Sequence, residues 1–235
     1  MKFLTAITAL ASVVSALPTE DVRARELIES HEQTMEYLRA RAWDTAGETA
    51  NELTDGGACP PVIFIYARGS TEGGNLGSLG GRVGNALERS LGAANVWVQG
   101  VGGAYSAGLL DNLLPKGTTD AAINEMKNLL TRASSLCPNA KLLAGGYSQG
   151  AALAGEAIST SSAAIREKIK GVVLFGWTKN QQKNGVIPNY PADRLKVYCE
   201  SGDLVCAGSL IVLPAHSTYK DEAEGVAPQF LISKL

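Results

Sequence analysis

From about residue 60 onward, short apolar runs alternate with longer stretches of mixed polarity. An uninterrupted apolar run of about 4–8 residues is typical of a strand buried on both faces of a sheet. Strands that alternate with helices along a chain predict a parallel sheet with helices on both faces. The predicted strands are Val62–Tyr66, Val96–Val101, Leu142–Tyr147, Val172–Phe175 and Leu195–Tyr198, and the predicted helices are Gly81–Leu91, Thr119–Leu136, Gln149–Ser159 and Ala163–Lys168.

The beginning of the chain has a different pattern. Residues 1–16 start with Lys2, continue as an apolar run and end in the small residues Val14-Ser15-Ala16. This is the composition of a secretory signal peptide, and the run is too short to span a bilayer. We therefore predict that the protein is secreted and extracellular.

Residues 17–58 are polar and contain no strand-like run. Leu27, Ile28, His31, Met35 and Leu38 have helical spacing, which predicts one amphipathic helix. Residues 51–57 resemble a linker. Three interpretations remain open for this extension: a pro-segment, a lid over the active site, or a helix packed on the domain. The catalytic domain is predicted to occupy residues 59–235.

Composition and charge exclude some classes of function. The chain is 45% hydrophobic and 19% charged, as in an ordinary globular protein, and its formal net charge is -2. This balance gives no basic surface for nucleic acid and no polybasic run for an anionic membrane. After residue 16 no apolar segment has the length of a membrane span.

The four cysteines are Cys59, Cys137, Cys199 and Cys206. Export favours disulfides, and four cysteines allow three pairings. The short separation of Cys199 and Cys206 favours their pairing, which leaves Cys59 with Cys137. The chain has only two histidines, and neither has zinc-site spacing from a cysteine pair, so no metal is expected.

One motif carries nucleophile chemistry. Gly146-Tyr147-Ser148-Gln149-Gly150 matches the G-x-S-x-G pattern of a nucleophile elbow. The pattern is short, so its context matters: a predicted strand precedes it and a predicted helix follows it, as the elbow requires. We therefore predict that Ser148 is the nucleophile of an acyl-transfer reaction.

A serine nucleophile needs a base, and the base needs an orienting acid. Of the two histidines, His31 precedes the first strand, whereas His216 follows the last one, as in the order Ser…Asp…His. Asp203 follows the last strand inside the loop that Cys199 and Cys206 would close, which makes it the first candidate for the acid. Glu200 is the second candidate.

The oxyanion of such a reaction needs hydrogen-bond donors. One is predicted to be the backbone N–H of Gln149, directly after the nucleophile, and another should come from the loop after the first strand. In that loop Ser70, beside Gly69, can offer both an N–H and a hydroxyl. The alternative is a plain glycine-rich turn.

These residues resemble the fungal cutinase family, from about Val62 to Leu235. The resemblance is strongest at residues 62–72, 100–105, 145–153 and 199–206. It implies a compact α/β-hydrolase with a five-stranded parallel sheet, the triad Ser148, Asp203 and His216, and an oxyanion hole of Ser70 and Gln149. It also implies that Asn112 supports Ser70 and that the disulfides are Cys59–Cys137 and Cys199–Cys206. The residues that match the cleft border of the family are Leu109, Leu210, Ile211 and Val212.

The resemblance further implies a serine esterase that hydrolyses the plant polyester cutin and short-chain acyl esters without a cofactor or metal. The expected partner is an insoluble polyester or lipid ester, and the expected state is a monomer. An acetylxylan esterase or small lipase of the same fold is the nearest alternative, and a catalytically silent binding protein on this scaffold is another. An apolar cleft border suits an insoluble substrate, but residues 210–213 fit a buried strand end equally well.

Overall fold

Five parallel strands form one sheet in a computed structural model that describes residues 47–235. The sheet order is β2-β1-β3-β4-β5, and each neighbouring pair is parallel. The predicted α/β-hydrolase class with a five-stranded parallel sheet is confirmed. The strands are β1 (Val62–Ala67), β2 (Val96–Gly100), β3 (Lys141–Tyr147), β4 (Ile169–Phe175) and β5 (Leu195–Tyr198).

Helices cover both faces of this sheet. The α-helices of the described residues are α1 (Glu52–Asp55), α2 (Gly77–Leu91), α3 (Asp120–Leu136), α4 (Gln149–Thr160), α5 (Ala163–Lys168), α6 (Lys220–Glu224) and α7 (Val226–Ile232). Short 3-10 turns lie at Ala93–Asn95, Leu109–Leu113, Ala192–Arg194 and Pro214–Ser217. The predicted helices therefore exist, with α2 beginning four residues earlier than expected.

Alternate residues of β1 point into two separate cores. Ile63 and Ile65 are fully buried in the core that contains α3 and α4, whereas Phe64 and Tyr66 are fully buried in the core that contains α2 and α7. A strand between two helical layers needs apolar residues at every position, because neither face meets water. This is the reason for the continuous apolar run in the sequence.

Helices α6 and α7 are absent from the sequence-based prediction. Each is short, and Pro228 lies at the third position of α7, where a proline weakens the sequence signal for a helix. Their buried residues nevertheless recur every four positions, at Ala223, Ala227 and Leu231. That spacing is helical, but it covers too few turns to predict a helix from sequence.

Residues 48–55 pack on the domain, where the sequence predicted a linker over residues 51–57. The carbonyl oxygen of Glu48 accepts hydrogen bonds from the N–H groups of Leu76 and Gly77, and that of Ala50 accepts one from Gly100. Leu53, in α1, is fully buried in the core. Residues 48–55 are thus packed against the sheet and α2, and the predicted signal peptide and amphipathic helix lie outside the described residues.

We expect Leu53→Ala to lower the free energy of unfolding by about 2–4 kcal/mol, because a buried side chain is replaced by a cavity. The rate on a soluble ester at 25 °C should stay unchanged, since α1 contributes no atom to the site described below. Urea unfolding of the variant and of Leu136→Ala, which truncates a leucine that is 45% exposed, measures the difference. Equal stability of the two variants would contradict the packing of this segment.

Two disulfides link the four cysteines, as predicted: Cys59 with Cys137 and Cys199 with Cys206. The first joins the residues before β1 to the end of α3. The second closes a seven-residue separation directly after β5. None of the helices within residues 47–235 combines the length and the apolar character needed to cross a membrane.

Candidate active site

Ser148 lies in a sharp turn between β3 and α4. Its backbone has φ +55° and ψ -117°, a conformation that residues other than glycine rarely adopt. A Cβ at position 146 would lie 2.3 Å from the carbonyl oxygen of Gly150, and a Cβ at Gly150 would lie 2.1 Å from that of Ala67. The glycines of the motif are therefore required by close backbone approach, and the turn holds the serine hydroxyl above the sheet.

His216 lies between Ser148 and Asp203. Its Nε2 is 2.9 Å from Ser148 Oγ, and its Nδ1 is 2.9 Å from Asp203 Oδ2. An ionised carboxylate only accepts hydrogen bonds, so Nδ1 carries a proton and Nε2 is left to accept the serine proton. The structure thus brings together the three residues predicted from the sequence, in the order that general-base activation of a serine requires.

Asp203 is buried in the loop that the second disulfide closes. Its Oδ1 accepts the N–H of Val205 at 2.9 Å, and its Oδ2 accepts hydrogen bonds from His216 and Tyr219. Burial opposes the charge of this carboxylate, but the hydrogen bond and charge of His216, followed by the bonds from Tyr219 and Val205, hold its pKa below the ordinary value. Asp203 is therefore ionised at neutral pH.

Glu200, the second candidate for the acid, makes no hydrogen bond with the His216 ring, whose partners are Asp203 and Ser148. Burial and the neighbouring carboxylate of Glu222 raise the pKa of its side chain. Its backbone N–H donates to the hydroxyl oxygen of Tyr219 at 3.1 Å, and its carbonyl oxygen accepts the N–H of Asp203 at 2.9 Å. The geometry favours Asp203.

Two residues that the sequence analysis did not assign hold the histidine. Gly176, after β4, has φ +51°, and a Cβ there would lie 2.6 Å from His216 Cε1. The Tyr147 hydroxyl donates to the His216 carbonyl oxygen at 2.7 Å, and the two rings are 5.0 Å apart. Neither role has a signal in the sequence, because each depends on a contact between residues far apart in the chain.

Ser70 follows β1 and is buried beside a 3-10 turn. Asn112 Nδ2, in that turn, donates to Ser70 Oγ at 2.8 Å and to the Leu109 carbonyl oxygen at 2.9 Å. Because the amide occupies a lone pair of Oγ, the hydroxyl proton of Ser70 is directed elsewhere. This is the arrangement that the family resemblance implied for Asn112.

The loop around Ser70 is held from both sides. Glu72 Oε2 accepts the N–H of Gly69 at 2.7 Å, and its Oε1 accepts the N–H of Ser78 at the start of α2. Burial raises the pKa of this carboxyl. Gln149, fully buried, donates from Nε2 to the Gly108 carbonyl oxygen at 2.6 Å, which ties α4 to the segment that carries Asn112.

Two apolar segments lie next to site residues in the chain, one around Asn112 and one before His216. Leu110 and Leu113, on the turn of Asn112, are 68% and 70% exposed, and Leu210 and Ile211, before His216, are also exposed. Leu109 and Val212 are half-buried. Residues 210–213 form no strand, so the alternative of a buried strand end is wrong. The sequence analysis missed the exposure of Leu110 and Leu113.

No group of histidine, cysteine, aspartate and glutamate side chains within residues 47–235 is arranged to hold a metal ion. The contacts of Ser148, His216, Asp203 and Ser70 are made by side chains and by backbone groups of the chain.

Comparison with known proteins shows the family of the chain. The family model described as Cutinase matches residues 58–235. The chain belongs to the cutinase family. Cutinase 2 of Fusarium vanettenii is 53% identical over 237 residues, covering 100% of this chain and 97% of that protein, and a cutinase of Colletotrichum truncatum is 46% identical over the whole of both chains. The resemblance predicted from the sequence is confirmed, and with it the class of carboxylic ester hydrolase.

Solved structures agree on the fold. A Trichoderma reesei cutinase in complex with a C11Y4 phosphonate inhibitor is 29% identical, covers 94% of each chain and superposes with a TM-score of 0.70. The catalytic core of an acetyl xylan esterase from the same organism is 19% identical, with a TM-score of 0.61 over 75% of this chain. At that identity the likeness shows a shared fold and nothing about substrate.

Proposed function

We propose that this cutinase-family protein is exported and hydrolyses the ester bonds of cutin, and of short-chain acyl esters, through an acyl-enzyme on Ser148. The observation that carries the proposal is the line of two 2.9 Å contacts from Ser148 Oγ through His216 to Asp203. Both contacts have the length of hydrogen bonds, so the base is within reach of the proton that it must take.

In the first half of the reaction, Ser148 Oγ attacks the ester carbonyl carbon while His216 Nε2 takes its proton. Negative charge then develops on the former carbonyl oxygen. The N–H of Gln149, at the start of α4, and Ser70 are the donors proposed for that oxygen. Asp203 holds the ring in the required tautomer and stabilises the imidazolium that forms.

The first half ends when the imidazolium gives its proton to the alcohol oxygen as the ester C–O bond breaks, which leaves the acyl group on Ser148. Water then attacks the acyl-enzyme, with His216 again acting as base, and the carboxylic acid leaves while Ser148 regains its proton. Every group in this sequence returns to its starting state. The three acid–base residues all belong to one chain, so we propose that the monomer is active.

The apolar segments beside the site favour a water-insoluble ester. Leu110, Leu113, Leu210 and Ile211 expose large aliphatic surface around the residues that carry the chemistry. Exposed apolar patches are typical of sites that bind apolar partners. Two disulfides fit an extracellular place of action, where such a polymer would be met.

We also propose that residues 1–16 are a signal peptide and that the catalytic domain includes residues 48–58. The packing of residues 48–55 supports this boundary, since cleavage within them would remove Leu53 from the core. N-terminal sequencing of the secreted protein tests it. A mature terminus between residues 17 and 48 is expected, and a terminus beyond residue 53 would contradict the boundary.

The test of the function combines active-site labelling with a comparison of substrates. A fluorophosphonate should label one residue, found as Ser148 by peptide mass, and the labelled protein should lose hydrolysis of p-nitrophenyl butyrate. Release of monomers from cutin should exceed release of acetate from acetylated xylan at equal enzyme. Faster release from xylan would support an acetylxylan esterase, and an unlabelled Ser148 would support a binding protein.

A further inference from the structure

A buried tyrosine forms a hydrogen bond with the aspartate of the proposed triad. Tyr219, directly before α6, is fully buried, and its hydroxyl donates a hydrogen bond to Asp203 Oδ2. The same hydroxyl oxygen accepts the N–H of Glu200 at 3.1 Å and lies 3.9 Å from Cys206 Sγ. The mechanism above assigns no role to this residue.

We propose that Tyr219 is a positioning residue that fixes the Asp203 carboxylate and limits how much of its negative charge acts on His216. The proposal rests on the function proposed above and extends it to a fourth member of the hydrogen-bonded chain.

The geometry leaves Asp203 little freedom. Its Oδ2 accepts from both His216 and Tyr219, while Oδ1 accepts the N–H of Val205. A carboxylate oxygen has two lone pairs, so Oδ2 is fully used. Rotation of the carboxylate would break hydrogen bonds in a buried place, where unpaired polar groups are costly.

The tyrosine ring is itself held by aromatic neighbours. It packs edge-on against Phe175 and Tyr147, with ring centroids 5.9 Å and 6.1 Å away, and perpendicular to the His216 ring at 6.4 Å. Edge-to-face contacts at these distances are favourable. The hydroxyl is therefore carried on a rigid ring and does not follow Asp203 if that side chain moves.

The charges around this chain allow Tyr219 to act as a constant donor. The titratable groups that face Asp203 are His216, Tyr219, Tyr147 and Glu200, and Glu200 in turn faces Glu222. Burial, followed by the bond to Asp203, raises the pKa of Tyr219 far above the neutral range. The phenol thus keeps its proton at neutral pH.

The test is Tyr219→Phe, which removes the hydroxyl and keeps the ring. On p-nitrophenyl butyrate we expect kcat to fall about tenfold, as for loss of one hydrogen bond to a charged group, with KM within about twofold. The acid limb of the kcat/KM profile should move to higher pH by about half a unit, because the unshared carboxylate charge favours the protonated imidazole.

Two further proteins keep the inference falsifiable. Tyr190→Phe removes another buried hydroxyl, which donates to the Ile169 carbonyl oxygen at 3.0 Å away from the triad, and it should leave kcat and the acid limb unchanged. Incorporation of 3-fluorotyrosine at position 219 keeps the ring and the hydroxyl. The fluorine makes the phenol more acidic and thus a stronger hydrogen-bond donor to Asp203, so the acid limb should move to lower pH. This second arm remains informative if Tyr219→Phe fails to fold.

An unchanged acid limb in both position-219 proteins would overturn the inference, as would a loss of kcat in Tyr190→Phe equal to that in Tyr219→Phe. Retained activity of Ser148→Ala, by contrast, would overturn the proposed function itself. The two failures are therefore seen in different proteins.

Discussion

Ser148→Ala is expected to lower kcat for p-nitrophenyl butyrate by about 10⁶-fold, the scale found when the nucleophile of a serine hydrolase is removed. The physical reason is that Oγ is the atom that forms the acyl-enzyme, and no neighbouring side chain replaces it. Substrate binding should persist, since the apolar segments and the oxyanion donors are untouched. The thermal midpoint should stay close to that of the unchanged protein, because alanine preserves the Cβ of the strained turn.

The matched control is Ser159→Ala near the end of α4, the helix that follows Ser148. The Ser159 hydroxyl donates to the Glu156 carbonyl oxygen within α4 and lies about three helical turns from the nucleophile, so its removal should leave kcat unchanged. Measurable turnover by Ser148→Ala, in protein freed of contaminating esterase by a single passage over a phosphonate column, would sink the assignment of the nucleophile. A parallel loss in Ser159→Ala would point to damage to α4 instead.

The fold was predictable because a two-faced parallel sheet imposes a simple pattern. Residues such as Ile63 and Phe64 face different cores, so both must be apolar, and the run that results is visible without any structure. The short C-terminal helices were not predicted, since four-residue recurrence at Ala223 and Ala227 is weak evidence over so few turns. The packed segment around Leu53 was missed because one buried leucine in a polar stretch has no periodicity.

The residues of the site also fall into two groups, those that the sequence predicted and those that only the structure showed. Ser148 was predicted because it lies in a known motif. His216 was predicted because it is the one of two histidines that follows the last strand. Gly176, Tyr147 and Tyr219 act through contacts that exist only after folding: space for an imidazole ring, a bond to a carbonyl oxygen and a bond to a carboxylate. None of these contacts has a local spacing, so a single sequence carries no mark of them. Residues that orient other residues are therefore the part of an active site that pattern analysis finds last.

The second large effect is expected for Ser70→Ala, which should lower kcat by about 10²–10³-fold with little change in KM. The hydroxyl of Ser70 is useful only once negative charge has developed on the substrate oxygen, so its loss raises the barrier without weakening the ground-state complex. Ser217→Ala is the control, because that hydroxyl donates to the Pro214 carbonyl oxygen within its own turn, next to His216. A rate within twofold of the unchanged enzyme would leave Ser70 as a structural residue of its loop.

A double-mutant cycle with Asn112 sharpens this prediction. Asn112 Nδ2 donates both to Ser70 Oγ and to the Leu109 carbonyl oxygen, so Asn112→Ala should lower kcat by misdirecting the Ser70 hydroxyl and by loosening the turn. If Asn112 acts on catalysis mainly through Ser70, its replacement should cost far less in a Ser70→Ala background than in the unchanged enzyme, because the group that it orients is already gone. Equal costs in the two backgrounds would mean that Asn112 serves the turn alone, and Ser70 would then be oriented by the loop that Glu72 holds.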